Sequence, residues 1–180
     1  MKKIIVVLLA VTMMLAMFTG CAGKKDDTIK IGINMELSGA VATYGESTVK
    51  GIELAIKEIN AAGGIGGKQV ELIKYDNKSD SAEATTLATK LMTEDGVLCV
   101  LGPATSGAFK AEIPVATQYK IPVISGSATA DDVTVDASGV KEYAFRICFN
   151  DSYQGTAMAN FALTNLSLSK AIIIKDSSSD

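Results

Sequence analysis

From residue 29 onward the hydrophobic positions change period repeatedly, and each change marks the edge of an element. IKIGINM, residues 29–35, is rich in β-branched side chains and reads as a strand. Residues 46–62 then place Val49, Ile52, Ile56 and Ile59 on one helical face, with Lys50, Glu53, Lys57 and Glu58 elsewhere around it. QVELIKYD alternates as a strand, and SAEATTLATKLMTED returns to helix with Ala84, Leu87, Ala88, Leu91 and Met92 on one side. VLCVLG and IPVISG are short continuous apolar runs, the pattern of strands buried on both faces. Between them SGAFKAEIPVATQYK is helical by pattern, with Pro114 expected to bend it. After a polar loop come a strand in YAFRICF, a helix over residues 152–166 and a strand in KAIIIKD.

Strands alternating with helices over short connections predict an α/β fold, a doubly wound parallel sheet with helices on both faces. In such a sheet ligands bind outside the carboxyl ends of the strands, where strand order reverses. Three strand-to-helix loops meet that condition: residues 36–47, 102–107 and 125–132. They offer Ser38, Tyr44, Thr105, Ser106, Ser125, Ser127 and Thr129, with Glu36, Glu46, Asp131 and Asp132 at their margins and no Lys or Arg. Hydroxyls, glycines and a helix N-terminus suit a small anion such as a carboxylate, which N–H groups bind without a paired cation. No internal repeat interrupts the pattern. The chain stops directly after a predicted strand, where a helix is expected, and so reads as truncated.

The first 20 residues stand outside this pattern. MKK supplies positive charge, and residues 4–18 are apolar except for Thr12. Fifteen residues is short of the roughly 20 that cross a bilayer, and small residues follow, so the segment is expected to be a secretory signal peptide. FTGC resembles the lipobox of bacterial lipoproteins, although Phe18 stands where that pattern prefers Leu, Val or Ile. The resemblance implies cleavage before Cys21, lipidation of its thiol and a membrane anchor, with residues 21–28 as a polar tether. Removing Lys2 and Lys3 with the leader leaves 15 basic against 20 acidic side chains, which excludes a basic nucleic-acid surface. The chain has no histidine, the commonest metal ligand and general base. Neither a metal nor a cofactor is expected. Cys99 and Cys148 sit in apolar runs and are read as small buried hydrophobes rather than a disulfide pair.

Catalytic signals do not emerge. There is no G-x-S-x-G elbow, and Ser106 has no histidine to activate it. DNKSDSAE, residues 76–83, lacks the glycine and final glutamate of a calcium loop. The glycine cluster in NAAGGIGGKQVEL has Ala62 and Gln69 where a P-loop needs Gly and Ser or Thr. It also runs from helix to strand, opposite to a phosphate loop, so its glycines are expected to cap the helix and turn the chain.

Three stretches together carry a resemblance. IKIGINMELSGAVATYGESTVKGIELAIKEINAAGGIGGKQVELIKYDNKSD, VLGPATSGAFKAEIPVATQYKIPVISGSAT and FRICFNDSYQG resemble the substrate-binding proteins of branched-chain amino acid ABC transporters. The resemblance implies a type I periplasmic-binding fold, in which two α/β lobes close on an amino acid. Residues 29–149 would form the N-terminal lobe and 150–180 the incomplete start of the second. It also implies a ligand carboxylate at Ser106, further contacts from Ser127 and Thr129, Tyr44 beside the ligand side chain, and Asp151 at an acidic position past the first crossover. Partners would be the amino acid, ABC permease subunits and the membrane, with no enzyme activity and no nucleic acid. An amide- or urea-type solute, a sensory role, or an exported enzyme acting on small carboxylates are the alternatives. Because closure needs both lobes, the 180-residue chain alone is expected to bind very weakly or not at all.

Overall fold

The structure, a computed structural model, describes residues 28–174. The signal peptide read over residues 1–20, the lipidation site Cys21 and the tether up to residue 27 lie outside the described residues. Chain order is β1 (Ile29–Met35), α1 (Ala42–Ala61), β2 (Val70–Asp76), α2 (Ser81–Lys90), β3 (Cys99–Leu101), α3 (Ser106–Tyr119), β4 (Val123–Ser125), β5 (Val135–Asp136), β6 (Gly139–Val140), β7 (Ala144–Arg146) and α4 (Asp151–Thr164). A five-stranded sheet runs β2-β1-β3-β4-β7 with every pairing parallel, and β5 and β6 form a separate antiparallel pair. This is the doubly wound α/β sheet that the alternating periods predict.

Side-chain alternation along β1 explains why helices cover both faces. Ile33 and Met35 point to one side, where they bury Val49 of α1 together with Ala104. Asn34 points to the other, where its side chain reaches Ala84 of α2 and Glu112 of α3. That second side holds the larger core, with Leu91, Val100, Phe109, Val123 and Ala128 all completely buried. A large apolar side chain buried this fully contributes about 1.5–3 kcal/mol, so the α2–α3 face carries most of the stability. On the other face only Gly45 and Val49 of α1 are buried, and Ile52, Ile56 and Ile59 are half-covered.

Several boundaries differ from the sequence reading. Helix α1 begins at Ala42, four residues before the expected start, because ATYG precedes the apolar stripe and gives no periodic signal. The loop after β1 is correspondingly short, and Tyr44 stands on the first turn of α1 rather than in the loop. Helix α2 continues into a π-helical turn at Leu91–Asp95, closed by left-handed Gly96. Helix α3 runs through Pro114 without interruption. The strand in YAFRICF shortens to β7, and the β5–β6 pair, two residues a side, falls below any periodic signal.

The strand expected in KAIIIKD is not seen over residues 170–174, the part of it among the described residues. Residues 170–174 have no regular structure, and Ile172 and Ile174 are 92% and 94% exposed. A β-prone run becomes a strand only when a neighbour takes up its backbone hydrogen bonds. None of the described residues provides one.

Candidate ligand-binding site

The pairing register fixes where the strands end. Met35 lies beside Asp76, Ile33 beside Leu101, Leu101 beside Ile124 and Ser125 beside Arg146. From β1 the chain moves to one side to make β2, then returns past β1 to make β3. The strand order therefore reverses between β1 and β3, and the loops after β1, β3 and β4 meet at that crevice.

Each loop is held by side chains from a neighbouring strand or loop. The Asp76 carboxylate, at the end of β2, accepts from the Leu37 and Ser38 N–H groups at 2.9 and 3.1 Å and from the Ser38 hydroxyl at 2.6 Å. Partial desolvation works against its charge, but hydrogen bonds from the Ser38 hydroxyl and the Lys78, Leu37 and Ser38 amides hold its carboxyl below the ordinary 3.8. The Asp-rich stretch after β2 thus braces the first loop. Glu36, completely buried, accepts from the Ala104 N–H at 2.9 Å and from the Thr105 N–H and hydroxyl at 3.0 and 2.8 Å. Gly45 allows α1 to pack here, because a Cβ on it would lie 2.0 Å from the Glu36 carbonyl oxygen.

The third loop is stitched to the second. Ser125 donates its hydroxyl to the Pro103 carbonyl at 2.6 Å and accepts from the Ala128 N–H at 3.1 Å. Ser127 donates to the Ala104 carbonyl at 2.8 Å, and the Ser106 hydroxyl oxygen accepts from the Ala130 N–H at 3.1 Å. From β7, Arg146 donates one guanidinium nitrogen to the Thr129 and Ala130 carbonyls at 3.2 and 2.8 Å.

These loops border an open cleft of about 710 Å³ that brings Tyr44, Ser106, Ser127 and Thr129 together. Asp151 does not line it: as the first residue of α4 it is exposed, and its N–H donates to the Thr129 carbonyl at 3.0 Å. Ser79, Phe149 and Gln154 line the cleft although the sequence reading did not select them. Phe149 and Gln154 fall within the quoted FRICFNDSYQG stretch, so a signal for them was present. Helix α3 begins with Ser106, and its N-cap Thr105 makes no side-chain capping bond. Ser106, Gly107 and Ala108 of the first turn line the cleft, and their N–H groups have no acceptor among the described residues.

Behind the crevice, Glu112 of α3 is completely buried, with one oxygen accepting from Asn34 at 2.8 Å and the other without a partner. Burial pushes its carboxyl well above the ordinary value, opposed by the Asn34 hydrogen bond and reinforced by the Glu36 charge. Cys99 and Cys148 are unpaired and only partly buried, and burial pushes the Cys99 thiol up. Among the described residues no group of three or more His, Cys, Asp or Glu could hold a metal ion, and no helix is long and apolar enough to cross a membrane.

The glycine cluster lies at the opposite edge of the sheet. Gly64 donates its N–H to the Ile59 carbonyl and Gly63 to that of Asn60, both glycines with positive φ, which is the bonding of a Schellman cap. Ile65 and Lys68 then bridge, and Asn60 clasps the Val70 backbone through both its amide atoms. The turn expected from NAAGGIGGKQVEL is what the structure contains.

Comparison with known proteins agrees with this geometry. The model of the periplasmic binding protein family matches residues 28–180. The chain is 33% identical over 148 residues to Leu/Ile/Val-binding protein homolog 3 of Brucella melitensis, covering 82% of this chain and 39% of that protein. It is 34% identical over 150 residues to the Leu/Ile/Val/Thr-binding protein of Salmonella typhimurium, covering 83% and 40%. Among solved structures it is similar to LivJ, the substrate-binding protein of a branched-chain amino acid transporter from Streptococcus pneumoniae, in complex with isoleucine. That match has a TM-score of 0.72 and 48% identity, and covers 78% of this chain and 39% of the other. The leucine-binding protein LivK of Thermotoga maritima matches with a TM-score of 0.72 and 28% identity over 84% of this chain and 41% of its own. The chain thus spans about 40% of the length of the curated relatives it matches. With its sheet order, its crevice and the match over residues 28–180 in agreement, the chain belongs to the periplasmic binding protein family.

Proposed function

We propose that the chain is the N-terminal lobe of an exported solute receptor that captures a branched-chain or other small amino acid and delivers it to an ABC importer. The observation that carries this reading is the open first turn of α3, with Ser106, Thr129 and Tyr44 around it, at the switch point of the sheet. Unpaired N–H groups at a helix start attract a carboxylate, and the hydroxyls around them fix its orientation. Its solved relatives, one a branched-chain amino acid transporter protein bound to isoleucine and one a leucine-binding protein, support an aliphatic amino acid as the solute. The ligand would sit between this lobe and a second one. Helix α4 supports that arrangement, since it buries no residue and leaves Tyr153, Met158, Phe161 and Leu163 more than half exposed. Lipidation at Cys21, testable as incorporation of labelled palmitate that Cys21→Ser abolishes, would tether the receptor to the outer face of the cell membrane.

The reading is tested by a thermal-shift screen of the two-lobed protein against amino acids and small amides. A ligand that binds only the native state raises the melting temperature, by an amount equivalent to about 2.7 kcal/mol at 100 times its Kd. Leucine, isoleucine or valine is expected to give such a shift. A shift with an amide or urea and none with any amino acid would overturn the proposed specificity.

A further inference from the structure

We propose that Glu36 is a positioning residue for ligand binding: its buried carboxylate draws the Thr105 hydroxyl and two loop amides to itself and so keeps the first turn of α3 open to the cleft. This rests on the amino-acid reading above. A threonine at an N-cap ordinarily turns its hydroxyl oxygen onto the N–H of the second or third helical residue and closes the helix start by itself. Thr105 is such a residue, in extended conformation just before Ser106, yet it caps nothing. Its hydroxyl donates to Glu36 Oε1 at 2.8 Å, and its N–H donates to the same oxygen at 3.0 Å. The Ala104 N–H donates to Oε2 at 2.9 Å. The three bonds take up both carboxylate oxygens, and the side chain is completely buried, so it cannot touch a ligand itself. Its effect on the cleft passes through the loop.

The carboxylate also sits close behind the end of the helix that would attract an anion. Electrostatics alone would have it repel a ligand carboxylate, so removing its charge should tighten binding. Positioning predicts the opposite sign. Glu36→Gln keeps the size of the side chain, but its amide group must face either the Ala104 N–H or the Thr105 N–H, donor against donor. The loop is then released, and the Thr105 hydroxyl is free to cap α3.

The test measures the isoleucine Kd by calorimetry, with the ligand-free melting temperature, for the two-lobed wild type, Glu36→Gln and Glu36→Asp. Asp keeps the charge but loses the reach. Both variants are expected to bind at least about tenfold more weakly, the size of one lost charge-assisted hydrogen bond. If Glu36→Gln does not fold, Glu36→Asp carries the same expectation. A lower melting temperature with an unchanged Kd would reduce Glu36 to a structural residue and overturn the proposal, as would tighter binding by Glu36→Gln. Wild-type protein that binds no amino acid would overturn the functional reading and this proposal with it.

Discussion

The two ends of the sheet fasten their loops in different ways. At the amino end of β2, the glycine turn closes on its own backbone, with Gly64 bonded to Ile59, Gly63 to Asn60 and Ile65 paired with Lys68. At the carboxyl end, the plain loops around the cleft are held to one another by Glu36 and Ser125 and to neighbouring strands by Asp76 and Arg146. The self-closed turn is built of residues adjacent in sequence, and it serves only to join α1 to β2. The loops of the cleft are joined by bonds between residues 16 to 69 positions apart, which hold one geometry around the proposed ligand position. Chemistry-like composition therefore marks the structural turn, and unremarkable serines and threonines mark the proposed site.

The largest effect expected is at the glycine turn. A Cβ on Gly64 would lie 1.9 Å from the Lys68 carbonyl oxygen, at a φ of +78°, so Gly64→Ala should cost about 3 kcal/mol or more of stability in denaturant unfolding. Gly63 has a φ of +103° but open space around it, and Gly63→Ala should cost only about 1–2 kcal/mol. Neither change should alter the isoleucine Kd of the folded two-lobed protein. A Kd that moves with Gly64→Ala would break the separation between the two ends.

A smaller effect separates the ends by pH. Glu112, behind the cleft, holds its proton in the folded state well above its ordinary 4.5. Its contribution is fully present below that pH and falls as pH rises, because the unfolded chain loses the proton first, with a slope of at most about 1.4 kcal/mol per pH unit. Asp76, held below 3.8, has the opposite sign: its contribution is present above that pH and is lost as pH falls through its lowered value. Glu112→Gln should therefore flatten the decline of stability above pH 4.5 in urea unfolding, and Gly63→Ala should leave that decline unchanged. An unaltered slope in Glu112→Gln would place the titrating group elsewhere.

Elements whose signal is local were legible in the sequence. Periodicity located the first three strand and helix pairs because each of those helices buries one face, and the order of elements then selected the crevice; α4 buries no residue and was found from its pattern alone. Tyr44, Ser106, Ser127 and Thr129 came from that crevice and from the resemblance together. What escaped depends on partners. Glu36 reads as an acidic residue at a loop margin until the register sets it against Ala104 and Thr105. In the sequence Asp76 and Asn77 carry no signal beyond a failed match to a calcium loop, yet Asn77 is completely buried and Asp76 braces residues 37 and 38. KAIIIKD has strand composition, but residues 170–174 have no neighbour among the described residues to take up their backbone hydrogen bonds, so the pattern alone does not make a strand there.

The central claim is that an amino-acid carboxylate sits on the open first turn of α3. A crystal structure of the two-lobed protein grown with isoleucine tests it most directly. The carboxylate is predicted within hydrogen-bonding distance of the Ser106 hydroxyl and the first-turn amides, with the Thr129 hydroxyl beside it and the glycine turn unoccupied. Isoleucine bound with its carboxylate away from Ser106, Gly107 and Ala108 would contradict it.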